Sequence, residues 1–208
     1  MPHWPSADRP DPPTPSTQQT GTAPTLPEDA GSVLLPLARA AIATRLGIPT
    51  PTTPDEPPWL AEPGACFVTL TTAGRLHGCI GTVWARRPLG ADVRANAAAA
   101  AFEDRRFPPL SAVELEDTRV EVSVLSPTAP APSATEAETL AALRPGVDGV
   151  VFECGGRRAT LLPQVWASLP DPHQFLAHLR VKAGFPASFW SDQVRVSRYT
   201  VTEFHEPA

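Results

Sequence analysis

Apolar residues recur along this chain on two different periods, and the switches between them mark its elements. From Ser32 to Leu46, the positions Leu34, Leu35, Ala38, Ile42 and Leu46 follow near-helical spacing, and Gly47 supplies a stop. Pro36 is expected in the first turn of that helix, where a missing N–H costs least. Ala65–Thr71 and Arg75–Ile80 are two strand-like runs separated by Thr72-Ala73-Gly74, and Gly81 ends the second. Pro88–Glu103 is the clearest helix, with Leu89, Val93, Ala97 and Ala100 on one face and Pro88 at its start. Thr118–Leu125 alternates Val120, Val122 and Val124 with polar residues, the pattern of a half-buried strand. Pro127–Pro132 reads as a loop and Thr135–Leu143 as a short helix. Val150–Cys154 and Arg157–Leu162 flank Gly155-Gly156, a hairpin signal. Pro163–Ser168 reads as another short helix. Asp171-Pro172-His173-Gln174 opens a further helix that Gly184 stops, with Phe175, Leu176 and Leu179 facing the core. Gln193–Phe204 is expected to close the chain as one strand.

Hairpins dominate this order, so the predicted class is α+β: a largely antiparallel sheet with flanking helices. Fifteen of the 27 prolines fall in residues 1–63. Residues 1–28 carry almost no large apolar side chains and are expected to form a disordered, Pro-rich tail, leaving residues 29–208 as one domain. Pro49–Pro63 reads as a surface loop pinned to the body by Trp59 and Leu60.

Charge and cysteine content narrow the function. The formal net charge is −5, of which residues 64–208 contribute only −1, so the body has no basic surplus for phosphates and nucleic-acid binding is disfavoured. The longest apolar run, Ala97–Phe102, is far short of the ~20 residues that a membrane span needs. The N-terminus has no apolar stretch of the kind a secretory signal uses. Three widely spaced cysteines, Cys66, Cys79 and Cys154, give neither a disulfide framework nor an iron–sulfur motif, and a reducing, cytoplasmic setting is expected. Phosphate-binding glycine loops are missing from the sequence, as is any histidine or cysteine spacing suited to a metal. No cofactor and no metal are predicted.

Four segments hold candidate chemistry. In Leu76-His77-Gly78-Cys79-Ile80-Gly81, regular strand geometry would set His77 and Cys79 on one face, roughly 6–7 Å apart at the backbone. Cys79 is then a candidate nucleophile tuned by His77, with Gly78 and Gly81 open to close approach by a ligand or another segment. In Glu103–Pro109, Arg106 either pairs with Asp104 or presents a fork to an anion. Arg157, beside the Gly155-Gly156 turn, is a second candidate for holding a small anionic ligand. Gln164 stands where it can read a ligand or satisfy strand-end backbone groups.

Taken in order, Phe67-Val68-Thr69-Leu70, Leu76–Gly81, Glu103-Asp104 with Arg106-Phe107-Pro108-Pro109, and Val120–Ser126 resemble the AMMECR domain family, called AmmeMemoRadiSam system protein A in bacteria. Asp148-Gly149, Gly155-Gly156-Arg157, Leu161–Val165, Lys182-Ala183-Gly184 and Trp190 continue the resemblance, which covers roughly residues 32–206. It implies an α+β fold in two lobes with a cleft near the glycine–cysteine motif. It also implies a genomic link to a radical-SAM protein and to a Memo-type protein similar to extradiol dioxygenases, with this chain as the third component. Two expectations compete. One is a binding or accessory protein that docks onto those partners. The other is an enzyme using Cys79 on a small anionic substrate held by Arg106 and Arg157. The chain departs from the family in having His77 where arginine is usual, and Arg180 where many relatives carry a cysteine. A mechanism needing two cysteines is therefore not expected.

Overall fold

Helix α1 (Gly31–Arg45) buries Leu34, Leu37, Ala38 and Ile42, the stripe that near-helical spacing predicts. It begins one residue earlier than expected, so Pro36 lies beyond the first turn and withdraws one interior N–H from the helix. The structure, a computed structural model, describes residues 26–50 and 56–207. The expected tail therefore falls outside the described residues up to position 25, while Leu26 packs against the first core. Of the Pro49–Pro63 stretch, Pro58–Ala61 forms a 3-10 turn that buries Leu60.

Strands β1 (Pro63–Gly64), β2 (Cys66–Thr72), β3 (Arg75–Gly81) and β4 (Arg87–Pro88) follow, then helix α2 (Leu89–Phe102) and strand β5 (Thr118–Leu125). The β2–β3 turn places Ala73 and Gly74 at φ 49° and 76°, the left-handed pair of a tight hairpin. Strand β6 (Ala129–Ala131) occupies part of the segment expected as a loop. Helix α3 (Glu136–Ala142) starts with a capping box of Thr135 and Glu138. Strands β7 (Gly149–Cys154) and β8 (Arg157–Leu161), a 3-10 turn at Pro163–Ala167, helix α4 (Pro172–Lys182), and strands β9 (Arg195–Tyr199) and β10 (Val201–His205) complete the chain.

All strand pairs are antiparallel. One sheet has the order β10-β5-β2-β3, another β6-β9-β7-β8, and β1 pairs with β4. The closing strand is thus two strands in two sheets. The chain changes sheet at Thr200, where Ser126 and Thr200 bond to each other. The apolar phase slips between Val196 and Tyr199, but Tyr199 and Val201 keep alternate spacing across Thr200, so the pattern does not mark the point of change.

Helices α1 and α2 cover the inner face of the first sheet, over Val68, Leu70, Val120 and Val122. Helix α4 and the 3-10 turn cover the second around Phe152, Phe175, Leu176 and Val194, with Trp166 stacked on Phe175 at 3.7 Å. A third cluster of Ala65, Leu125, Val151 and Tyr199 joins the two cores. Each such side chain taken from water contributes about 1.5–3 kcal/mol before entropy is subtracted. No described helix is long and apolar enough to cross a membrane.

Candidate functional site

The glycine–cysteine motif lies on β3, an edge strand. Its register with β2 pairs Leu70 with Gly78 and Thr71 with Leu76, so His77 is the extra residue of a β-bulge. That bulge removes His77 from simple alternation. Its ring is buried and stacks on Phe107 at 6.2 Å, and its Nε2 has no partner among the described residues. Cys79 instead accepts a hydrogen bond at Sγ from the Thr69 hydroxyl, 3.3 Å away. Among the described residues His77 and Cys79 do not hydrogen-bond to each other. Both glycines serve packing. A Cβ at Gly78 would stand 2.9 Å from the Ala100 carbonyl carbon and closer still to its oxygen, so α2 sits directly on the motif. A Cβ at Gly81 would fall within 2.6 Å of the Phe67 ring.

Asp104 and Arg106, in the turn after α2, act on the backbone of Cys79. The Cys79 N–H donates to Asp104 Oδ2 (3.0 Å) and Arg106 Nη2 donates to the Cys79 carbonyl (3.3 Å). Arg106 also grips Asp104 through Nε and Nη2 at 2.9 and 2.6 Å. The pair thus replaces the missing neighbour strand at this edge. The Arg106 guanidinium first, and then the Cys79 N–H, hold the Asp104 carboxyl well below the usual carboxylate range, against the upward push of burial.

The remaining predicted residues lie elsewhere. Arg157, exposed at the start of β8, donates to the Gly184 carbonyl (2.6 Å) and lies 3.5 Å over the Phe185 ring. Gln164 donates to Glu203 of β10. His77, Gly78, Cys79, Gly81, Asp104 and Arg106 therefore form one neighbourhood, and Arg157 and Gln164 belong to two others. Arg180 is buried against Glu136 and the Phe189 carbonyl.

Sequence reading missed three features. The first is the buried Asp92, whose carboxylate accepts from Cys66 N–H (2.9 Å), Thr82 Oγ1 (2.6 Å), Asn96 Nδ2 (2.9 Å) and Arg87 Nε (2.6 Å). Its signal was Asp92 and Asn96 one turn apart on the apolar stripe of α2. Burial, then the Asp92 charge, pushes the Cys66 thiol up. The second is a row across the outer face of the first sheet, in which Cys79, Thr69, Glu121 and His205 stand side by side on four strands. The third is a pair of grooves of about 530 and 320 Å³ along β10, at the opposite edge of that sheet from Cys79.

A model of the family described as AMMECR1 matches residues 35–204. A protein of Methanothermobacter thermautotrophicus is 39% identical over 187 residues, covering 87% of this chain and 96% of its own length. One from Thermotoga maritima is 41% identical over 140 residues, covering 66% and 75%. The crystal structure of an uncharacterised protein from Pyrococcus horikoshii superposes with a TM-score of 0.74 at 34% identity, covering 85% of this chain and 91% of that one.

Proposed function

The chain belongs to the AMMECR1 family, and we propose that it is the third component of an AmmeMemoRadiSam-type system. In this reading it is a binding or accessory protein that works in the cytoplasm with a Memo-type and a radical-SAM partner. One observation carries the choice of binding over catalysis. The cations that a substrate-handling site at Cys79 would need are committed within the fold, Arg106 to Asp104 and the Cys79 carbonyl, Arg157 to the Gly184 carbonyl. The motif's glycines likewise serve contacts with Ala100 and Phe67. Sedimentation velocity of the full-length chain mixed with purified Memo-type and radical-SAM proteins tests the proposal. Co-sedimentation that survives Cys79→Ser is expected. Separate boundaries at every mixing ratio overturn it.

A second reading, a cysteine-dependent enzyme acting on a small anionic substrate, draws on a different observation. Cys79 is the half-buried cysteine of three, while Cys66 and Cys154 are buried, and it stands on the polar row with Thr69, Glu121 and His205. That reading requires the cysteine to react faster than an unstructured thiol.

A further inference from the structure

Edge strands present backbone N–H and C=O groups with no neighbour, a ready template for pairing with another chain. The two four-stranded sheets have four edges: β3, β10, β6 and β8. Three are blunted. Asp104 and Arg106 occupy the outward groups of Cys79 on β3. Lys182 Nζ donates to the Thr160 carbonyl on β8 at 2.9 Å. Strand β6 has three residues centred on Pro130, which lacks an N–H.

Among the described residues strand β10 carries no such device. Its inward groups are fixed by two bonds, Ser126 N–H to the Thr200 carbonyl and Glu206 N–H to the Val120 carbonyl. Alternate residues of a strand point the same way, so Thr202 and Phe204 also face β5, while Val201, Glu203 and His205 turn their backbone groups outward. Among the described residues these outward groups meet no partner, and Glu203 and His205 are exposed. Beside this edge lie the two grooves. Phe204 walls both, with Leu35, Pro36 and Pro207 along the larger and Leu26 and Pro27 along the smaller. The opposite face of β10 is acidic: Glu203, which accepts from Gln164 through Oε1, and, on the adjoining strand, Glu121 flank His205.

We propose that β10 accepts an extended segment of a partner protein as a fifth strand. Residues of one parity would enter the two grooves and are apolar. Residues of the other parity would face Glu203 and Glu121 and are basic. Backbone pairing supplies affinity and the alternating side chains supply selectivity. A second copy of this chain is the poorer occupant. The centred antiparallel register, which pairs all of β10, sets Glu203 against Glu203, and like charges directly opposite destabilise a sheet. This inference deepens the binding reading above and rests on it only for the existence of a protein partner.

The test uses the full-length chain and two end-capped nine-residue peptides, one alternating valine with lysine and one alternating valine with glutamate. The lysine peptide is expected to bind saturably and to protect the Glu203 and His205 amides from hydrogen exchange, and the glutamate peptide is not. His205→Pro removes an N–H that the fold itself does not use, together with the imidazole's exposed contacts to Glu121 and Glu203, so the variant keeps its β5 pairing and melts close to the parent. It loses affinity by about tenfold or more, as does Glu203→Lys. The inference is overturned by no saturable binding, by protection mapping to another edge, by an unaffected His205→Pro, or by amides of Glu203 and His205 already protected in the free protein. That last result would assign the edge to a second copy or to another part of the chain. With the Memo-type and radical-SAM proteins, a complex that forms equally well with His205→Pro removes this surface and leaves the partner reading standing. If no complex forms, the partner reading falls, and the peptide result still decides for the surface.

Discussion

Replacing Gly78 with alanine isolates the role of the motif in packing. The added Cβ would lie 2.9 Å from the Ala100 carbonyl carbon and nearer its oxygen, whereas real Cβ atoms essentially never come within 3.0 Å of a neighbour. Ordinary carbon–oxygen contacts in sheets sit near 3.3–3.6 Å, so α2 must retreat by on the order of 1 Å. The obstacle is backbone, and no side chain can swing aside. Leu89, Val93, Ala97 and Ala100 all bear on the sheet from that helix and are buried. A gap of that size forfeits roughly a quarter to a half of each dispersion contact. Overpacking usually costs about 1–3 kcal/mol, and the rigid obstacle puts Gly78→Ala at or above the top of that range. Urea unfolding with a shared m-value measures it. Gly155→Ala is the reference, since its site is open and its φ is +56°, so it loses only the about 1–2 kcal/mol of a left-handed alanine. A Gly78→Ala cost below about 1 kcal/mol at unchanged m would refute the packing argument.

Three further outcomes follow from the same geometry. Asp104→Asn weakens the clamp on the Cys79 backbone and costs about 1–3 kcal/mol at neutral pH. Because the Asp104 carboxyl is held below its ordinary range, its contribution is fully present above about pH 3.9 and is lost as pH falls further, so the variant's unfolding midpoint should lose that acid dependence. Asp92→Ala leaves the Cys66 N–H, the Thr82 hydroxyl and Arg87 without their acceptor and should cost about 3–5 kcal/mol by urea unfolding. Tyr199 is the chain's one tyrosine, and burial pushes it up to about 12, so phenolate absorbance should stay silent at pH 10 until the protein unfolds. Here the sign reverses: the unfolded state releases its proton first, so stability falls as pH rises from about 10 toward 12.

Local chemistry made much of this fold legible. The hairpin turns at Gly74 and Gly155-Gly156, the Asp171 cap of α4, and the alternation of β5 depend on near neighbours, and they stand close to where the sequence puts them. The misses are tertiary. The change of sheet falls at Thr200, between Tyr199 and Val201 that keep alternate spacing, and the bulge at His77 is visible only against β2. Pro36 sits deeper in α1 than expected because that helix starts at Gly31, beyond a turn at Glu28–Ala30. The candidate site was legible as residues and illegible as an arrangement. Asp104 and Arg106 do meet Cys79, but at its backbone, and Arg157 is held by Gly184 and Phe185. A motif rich in glycine, cysteine and charge reads alike whether it handles a ligand or fits an edge strand to a helix.

The motif around Cys79 is tied into the fold through its backbone and its glycines. Alkylation of each cysteine in the folded full-length chain, mapped by mass spectrometry across pH, tests this most directly, with buried Cys66 and Cys154 as internal references. Cys79, half-buried and held by Thr69, is expected to react more slowly than a cysteine in an unstructured peptide at the same pH. Alkylation of Cys79 faster than that peptide at neutral pH would contradict it and put the enzymatic reading first.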